Sequence, residues 1–211
     1  MDHLSLLRRR MVERQLAARG VRDTRVLDAM RIVPREDFVP SALRAFAYDD
    51  APLPIGLNQT ISQPWMVASM IEAADVCPGD RVLEVGAGSG YAAAVLGLVA
   101  HEVWSIERHP ALAQQAQARL RHLEYHNVHV VSGDGTQGLP EQAPFDVIVV
   151  SAAGPEAPRA LLDQMTIGGR MVIPLGRHPS DQVLVLVRRI DAETYARFQL
   201  AKVHFVPLIA G

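Results

Sequence analysis

Residues 82–90 read Val-Leu-Glu-Val-Gly-Ala-Gly-Ser-Gly, and this stretch decides the fold class. An apolar strand runs directly into a glycine-rich turn, and a helix-forming segment, Tyr-Ala-Ala-Ala-Val-Leu at residues 91–96, follows at once. Glycines lack a Cβ, so the main chain can turn tightly there and its N–H groups can approach a ligand closely. The stretch is therefore typical of a nucleotide-binding strand-turn-helix unit.

The spacing of the glycines argues against a dinucleotide ligand. The dinucleotide fingerprint, G-x-G-x-x-G, would place its third glycine at position 91, where this chain has Tyr91. The glycines of this turn stand at 86, 88 and 90 instead. A nicotinamide oxidoreductase is disfavoured on this ground.

Three predicted strands each end near an acidic residue. Glu84 lies one residue before the end of the first strand, Glu107 ends the second, and Asp134 follows the third between two glycines. We expect Glu84 to face a positive or hydrogen-bond-donating group, Glu107 to accept hydrogen bonds from both ribose hydroxyls, and Asp134 to accept one from the amino group of adenine. Three carboxylates suit a nucleoside with a cationic amino-acid tail, such as S-adenosylmethionine, better than a pyrophosphate. A purely structural role at each strand end is the alternative.

The order of apolar runs predicts an α/β fold with a doubly wound, mostly parallel sheet. Helices are expected at 4–19 and 24–32, a short one from Ser41 and another at 64–76, with an extended segment held by prolines 52 and 54 between the last two. The core strands are predicted at 81–85, 102–106, 128–132, 145–150 and 169–175, with helices at 89–99, 110–125 and 156–164. Residues 182–189 and 195–206 are too close for a crossover helix and are expected to pair antiparallel.

Composition excludes several classes of function. The chain has 211 residues, 49% of them apolar, a formal net charge of −2 and 5% aromatic residues, so no nucleic-acid partner is expected. The run Arg8-Arg9-Arg10 is interpreted as a solvated helix face. There is neither a secretory signal nor an apolar run of 18 residues, so we expect no membrane contact and a cytoplasmic location.

The single cysteine and the histidines suggest no metal site. Cys77 is interpreted as a small buried apolar residue in a reducing compartment. His122 and His126 lie near a predicted helix end, while His129 belongs to the next strand, with no acid expected beside it. Surface histidines are therefore favoured over a ligand set.

Across residues 82–135 the chain resembles class I S-adenosylmethionine-dependent methyltransferases. Residues 54–64, Pro-Ile-Gly-Leu-Asn-Gln-Thr-Ile-Ser-Gln-Pro, also resemble the segment that precedes the first strand in protein-L-isoaspartate (D-aspartate) O-methyltransferases. The similarity continues through residues 105–108, 133–135, 143–146, 168–170, 172–176 and 205–208. The resemblance implies a single Rossmann-like methyltransferase domain, with N-terminal helices and a substrate and cofactor loop at 1–78, a nucleotide-binding core at 79–176 and antiparallel strands at 177–211.

The resemblance also implies the reaction and its residues. A methyl group would pass from S-adenosylmethionine to the α-carboxyl of L-isoaspartyl residues in damaged proteins and peptides, leaving S-adenosylhomocysteine; activity on D-aspartyl sites is open, and a monomer is favoured. Ser62 would be the active-site serine, and the main chain of Val206 would pair with the substrate. The residues expected to bind the cofactor are Gln59, Thr60, Ile61, Glu84, Gly86, Ala87, Gly88, Ser89, Gly90, Glu107, Arg108, Asp134 and Gly135.

Several alternatives stay open. Ser62 stands two residues before Pro64, so its hydroxyl could instead cap the helix that starts there. Asn58 replaces the glycine usual in the family and is expected to keep the loop shape, because asparagine tolerates left-handed backbone. Thr136 is smaller than the usual side chain and is expected to give less cover over adenine. A methyltransferase with another substrate and a non-catalytic polypeptide-binding module are the rival functions.

Overall fold

The computed structural model describes residues 3–210. Its strands are β1 Leu53–Gly56, β2 Gln59–Ile61, β3 Arg81–Val85, β4 Glu102–Glu107, β5 Val128–Ser132, β6 Phe145–Val150, β7 Met165–Leu175, β8 Val183–Arg189 and β9 Tyr195–Lys202. Its α-helices are α1 His3–Met11, α2 Thr24–Ile32, α3 Pro64–Ala73, α4 Tyr91–Val99, α5 Pro110–His122 and α6 Arg159–Asp163.

Seven of these strands form one sheet in the order β5-β4-β3-β6-β7-β8-β9. The first five in this order pair parallel, and β8 and β9 add antiparallel, so the predicted α/β fold and the antiparallel pairing of the tail are confirmed. The chain proceeds from β3 outward through β4 and β5, then returns to β6 on the other side of β3. This reversal opens a crevice at the carboxyl ends of β3 and β6, which is where ligands bind in such sheets.

Apolar side chains cover both faces of the sheet. Valines 82, 147 and 149 pack with buried residues of α1 to α5 on one face. Leu83 and Ile148 pack with residues of α6 on the other. Burial on both sides explains why the central strands read as nearly continuous apolar runs. By alternation along β3, Glu84 lies on the same face as Val82, toward the N-terminal helices.

Several predicted boundaries were wrong by a few residues. The helix expected at 4–19 is α1 continued by a π-helical turn, Val12–Leu16, and a 3-10 turn, Ala17–Arg19, which ends at left-handed Gly20. The helix from Ser41 is a 3-10 helix, Ser41–Phe46. α5 ends at His122 because Glu124 adopts a left-handed backbone with φ 61°. α6 starts only at Arg159, after Pro158, which holds an extended backbone.

The last strand ends at Lys202 and not at 206, because Gln182 redirects the chain. The main-chain oxygen of Gln182 accepts from the Val203 N–H at 3.1 Å. The side-chain amide of Gln182 then pairs with both main-chain groups of Phe205, at 2.6 and 3.2 Å. The tail therefore leaves the sheet edge and turns back toward the carboxyl end of β6, where Pro207 bridges to Ala153.

Three surface interpretations need correction. Cys77 is only half-buried, and its Sγ accepts from the Arg25 guanidinium at 3.2 Å. Arg9 and Arg10 are exposed as expected, but Arg8 is partly buried and pairs with Glu36 at 3.0 Å. An acid does lie beside His129, because Glu102 Oε1 is 3.6 Å from its Nε2. Within residues 3–210 no helix has the length and apolar character needed to cross a membrane.

Candidate active site

The segment before the core forms a hairpin that covers the glycine-rich turn. β1 and β2 pair antiparallel around a two-residue turn in which Leu57 and Asn58 have φ of 50° and 58°. Two positive φ values are typical of a type I′ turn. The expectation that Asn58 accommodates left-handed backbone is confirmed. The hairpin packs closely, since a Cβ built on Gly88 would lie 3.3 Å from Ile55 Cδ1.

A cavity of about 660 Å³ lies between this hairpin, α3 and the ends of β3 and β4. It brings together most of the predicted cofactor residues, from β2, from the end of β3 and from the glycine-rich turn. Those on its wall are Gln59, Thr60, Ile61, Glu84, Gly86, Ala87, Gly88, Ser89 and Glu107. Gly90 lies behind the wall as the N-cap of α4, where a Cβ would meet Ala116 and Leu120 at 3.3 Å.

Glu84 is fully buried in this cavity and is only partly satisfied. The Ser105 hydroxyl donates to its Oε2, while its buried Oε1 has no hydrogen-bond partner within residues 3–210. Burial raises the pKa of Glu84 to about 8, and the nearby Glu107 carboxylate adds to the rise. The cavity therefore holds a carboxyl group with one oxygen that could accept a hydrogen bond from a ligand or pair with a ligand's cation.

Glu107 is held rigidly at the same end of the sheet. Its Oε2 accepts from the Gly88 N–H and its Oε1 from the His109 N–H, both at 2.9 Å. A carboxylate has about four acceptor positions, so two protein bonds leave capacity for a ligand. Because Glu107 also borders a second cavity, it stands where the two spaces meet.

The second cavity, of about 410 Å³, continues the first and shares Gln59, Gly86 and Glu107 with it. Arg108 and Gly135 also line it. Gly135 is close-packed, since a Cβ there would lie 2.5 Å from Val85 Cγ1.

Asp134 stands beside this wall but turns toward its own loop. Its Oδ1 accepts from the N–H of Thr136 at 2.8 Å and from the Thr136 hydroxyl at 2.7 Å, which closes the turn. Thr136 thus serves the shape of the turn. Contact between Asp134 and adenine stays a prediction.

A groove opens on the other side of the hairpin. Its wall includes Trp65, Met66 and residues 202–207 of the tail. Thr60, Ser62 and Ser151 line both this groove and the first cavity, so they lie at the junction of the two spaces.

The start of α3 excludes one of the two interpretations of Ser62. The N-cap of α3 is Gln63, with no side-chain cap bond, so the capping alternative was wrong. The Ser62 hydroxyl forms no hydrogen bond to residues 3–210 and is available to a ligand, while its main-chain oxygen accepts from Arg35 at 2.8 Å.

Val206 borders the groove, and one of its two main-chain polar groups is already hydrogen-bonded within the protein. Its oxygen accepts from the Ala153 N–H at 2.8 Å, and Leu208 donates back to Ala153 at 2.7 Å. These bonds anchor the tail across the carboxyl end of β6. The Val206 N–H bonds to nothing within residues 3–210 and is thus the main-chain donor that the segment offers.

Ser105 and Arg35 are the residues that the sequence did not single out. Ser105 is opposite Glu84 in the register of β3 and β4, so a polar residue at the matching strand position was the available signal. Arg35 begins a short 3-10 helix, Arg35–Phe38, after α2, and nothing in its sequence surroundings points to the site. Among residues 3–210, no three His, Cys, Asp or Glu side chains are grouped to hold a metal ion.

The crevice at the strand reversal, its glycine-rich turn and its two buried carboxyls define the class I S-adenosylmethionine-dependent methyltransferase fold. The model of the family Protein-L-isoaspartate(D-aspartate) O-methyltransferase (PCMT) matches residues 7–211. The chain belongs to this family.

Individual relatives agree with this assignment. A protein-L-isoaspartate O-methyltransferase 1 from Rhodopseudomonas palustris (strain HaA2) is 56% identical over 202 residues, covering 96% of this chain and 82% of the relative. A solved protein-L-isoaspartate O-methyltransferase is 30% identical with a TM-score of 0.85, and the match covers 94% of this chain but only 65% of that one. A Plasmodium falciparum protein solved in complex with S-adenosyl-L-homocysteine is 25% identical with a TM-score of 0.82, covering 96% and 98%.

Proposed function

We propose that this protein transfers a methyl group from S-adenosylmethionine to the α-carboxylate of L-isoaspartyl residues in polypeptides. The observation that carries the proposal is the position of Ser62, whose free hydroxyl lies where a cavity with buried carboxyls meets an open groove. A methyl donor on one side and a polypeptide on the other would meet at this junction. Family membership supports the same reaction.

The residues of the cavity fit S-adenosylmethionine. When bound, it supplies an electrophilic methyl group on a positively charged sulfur. Glu84 offers a buried acceptor, Oε1, to the cationic amino-acid part of the molecule, and Glu107 offers its remaining acceptor positions to the ribose. Gly88 has a left-handed backbone with φ 51° and lies close beneath the hairpin, so the main chain itself would form the floor.

The groove residues would orient the acceptor and need not create it. An α-carboxylate is already an anion at neutral pH, so no general base is required. The Ser62 hydroxyl and the Val206 N–H can donate hydrogen bonds that aim one carboxylate oxygen into the cavity. That oxygen bonds to the methyl carbon as the carbon–sulfur bond breaks, and the electron pair stays on sulfur. The products are a methyl ester and S-adenosylhomocysteine, and ideal positioning of two reactants can contribute up to about 7–11 kcal/mol to catalysis.

The main-chain amide nitrogen would then attack the ester and close a succinimide with release of methanol, and hydrolysis would return part of the damaged sites to a normal aspartyl linkage. We infer that the protein does this as a cytoplasmic monomer, on isoaspartyl proteins and peptides. D-aspartyl sites are a second substrate to assay.

Label transfer from methyl-labelled S-adenosylmethionine tests the proposal. An isoaspartyl peptide should acquire a base-labile methyl ester, and the matched aspartyl peptide should not. Binding of both ligands without ester would instead identify a polypeptide-binding module, and label in a small metabolite would identify another methyltransferase.

Ser62→Ala tests the role of the junction. We expect it to lower kcat by about 10- to 100-fold, because one hydrogen bond to a charged group is lost, and to leave cofactor affinity unchanged. Ser69→Ala is the matched control, because Ser69 lies in α3 but outside the cavity and the groove. An equal loss of turnover and cofactor affinity in Ser62→Ala would contradict the role assigned to the hydroxyl.

A further inference from the structure

Arg35 carries a positive charge that the protein buries without a carboxylate. Its side chain is fully buried, and within residues 3–210 no acid forms an ion pair with it. Its Nε donates to the main-chain oxygen of Ala47 at 2.7 Å, and its Nη2 donates to the main-chain oxygen of Ser62 at 2.8 Å. Its Nη1 is buried with no hydrogen-bond partner among the described residues.

Burying an unpaired charge in this way lowers the stability of the folded protein. Arginines are almost never fully buried unless they are paired, and removing a charge from water costs several kcal/mol. Burial accordingly lowers the pKa of the Arg35 guanidinium. The ring of Tyr91, whose centroid is 4.8 Å from Arg35 Cζ, offsets part of the cost.

The position of the charge relative to the site gives it a use. Arg35 contacts Ser62 and Tyr91, and both of these residues line the first cavity. The buried carboxyl groups of that cavity, Glu84 and Glu107, lie at the ends of β3 and β4 and offer no positive charge to an incoming carboxylate. A cation behind Ser62 would attract that carboxylate.

We propose that Arg35 is a positioning residue for the acceptor carboxylate: it fixes the main chain of Ser62, and its unpaired charge favours an anion at the Ser62 hydroxyl. The inference deepens the function proposed above and rests on it. Preorganised charge in a water-excluded site acts without reorganisation at the moment of reaction. The charge and the hydrogen bonds of Arg35 make separable contributions.

Three substitutions separate the two contributions. Arg35→Lys keeps the charge, Arg35→Gln keeps a donor without charge, and Arg35→Met keeps neither. The measurement is the ratio of dissociation constants for an isoaspartyl peptide with a free α-carboxylate and for its α-carboxamide counterpart, with S-adenosylhomocysteine bound. We expect the preference for the carboxylate to fall about tenfold in the Gln and Met variants and to stay within about threefold of wild type in the Lys variant.

Met30→Ala is the control for loosened packing, because buried Met30 accepts from the Tyr91 hydroxyl in the same layer and carries no charge. It should weaken both peptides alike. The inference fails if Arg35→Gln and Arg35→Met keep the wild-type preference, or if Met30→Ala lowers that preference equally.

A wild-type experiment covers variants that do not fold. A buried charge is screened little by salt, so the carboxylate preference should persist between 0.05 and 1 M salt. Loss of the preference at high salt would assign it to exposed cations and overturn the inference. Failure of the proposed function would show separately, as absence of ester from the wild-type protein.

Discussion

Replacing Glu84 by Gln should change how the stability of the ligand-free protein depends on pH. The pKa of Glu84 is raised from its ordinary value of 4.5 to about 8 by burial, and Oε1 has no partner within residues 3–210 that would favour the ionised form. A carboxyl with a raised pKa binds its proton more tightly in the folded than in the unfolded protein. Stability therefore falls as pH rises from 4.5 to 8.

The size of the effect follows from these two pKa values. Between pH 5 and pH 7.5 the unfolded carboxyl ionises almost completely while the folded one stays mostly protonated. The difference corresponds to roughly 3 kcal/mol of stability lost by the wild type over this interval. Glu84→Gln keeps the shape and hydrogen-bonding capacity of the protonated acid and should lack this loss.

Urea unfolding of both proteins at pH 5 and pH 7.5 measures the difference directly. Glu141→Gln removes an exposed carboxyl near β6 and is the matched control, expected to follow the wild type. Parallel pH dependences for wild type and Glu84→Gln would show that Glu84 is ionised in the empty cavity. That result would refute the raised pKa of Glu84.

Three further outcomes are expected. Binding of S-adenosylmethionine at pH 7 should release close to one proton, since the ligand's cation drives Glu84 to ionise. Titration calorimetry in two buffers of different ionisation enthalpy measures the number of protons released. Binding without proton release would contradict this expectation. Gly135→Ala should destabilise the fold by about 1–3 kcal/mol in thermal unfolding and weaken cofactor binding, because its Cβ would overlap Val85; Gly79→Ala, with nothing within 4 Å, should do neither. Lys202→Glu reverses the charge of an exposed groove residue. It should lower kcat/KM by about two- to fivefold for isoaspartyl peptides with acidic neighbours. An equal loss for basic peptides, or in the control variant Arg197→Glu, would contradict this.

The sequence predicted the parallel core and the glycine-rich turn because both depend on local patterns. β3 and β6 are apolar runs bounded by loop residues, and the turn at 86–90 needs glycine for reasons visible in the chain itself. The hairpin of β1 and β2 was expected only as an extended segment, because its strands are short and contain proline.

The parts of the site that escaped prediction depend on contacts between distant residues. Ser105 matters because the register of two strands places it against Glu84, and Arg35 matters because the chain returns Ser62 to it. Val206 could be nominated by resemblance, but the exit of the tail from the sheet depends on the side chain of Gln182. Apart from the polar residue at the position of β4 that matches Glu84, such pairings carry no signal in a single chain read from end to end.

The clamp of Gln182 on Phe205 joins two ligand spaces through one stretch of chain. The tail is held by this amide, by main-chain bonds to Gln182 and Ala153 and by the burial of Phe205, and it lines both the groove and the second cavity. Truncation of the chain after Lys202 should accordingly weaken binding of the nucleoside as well as of the polypeptide, because residues 203–206 line the groove and residues 207–209 line the second cavity.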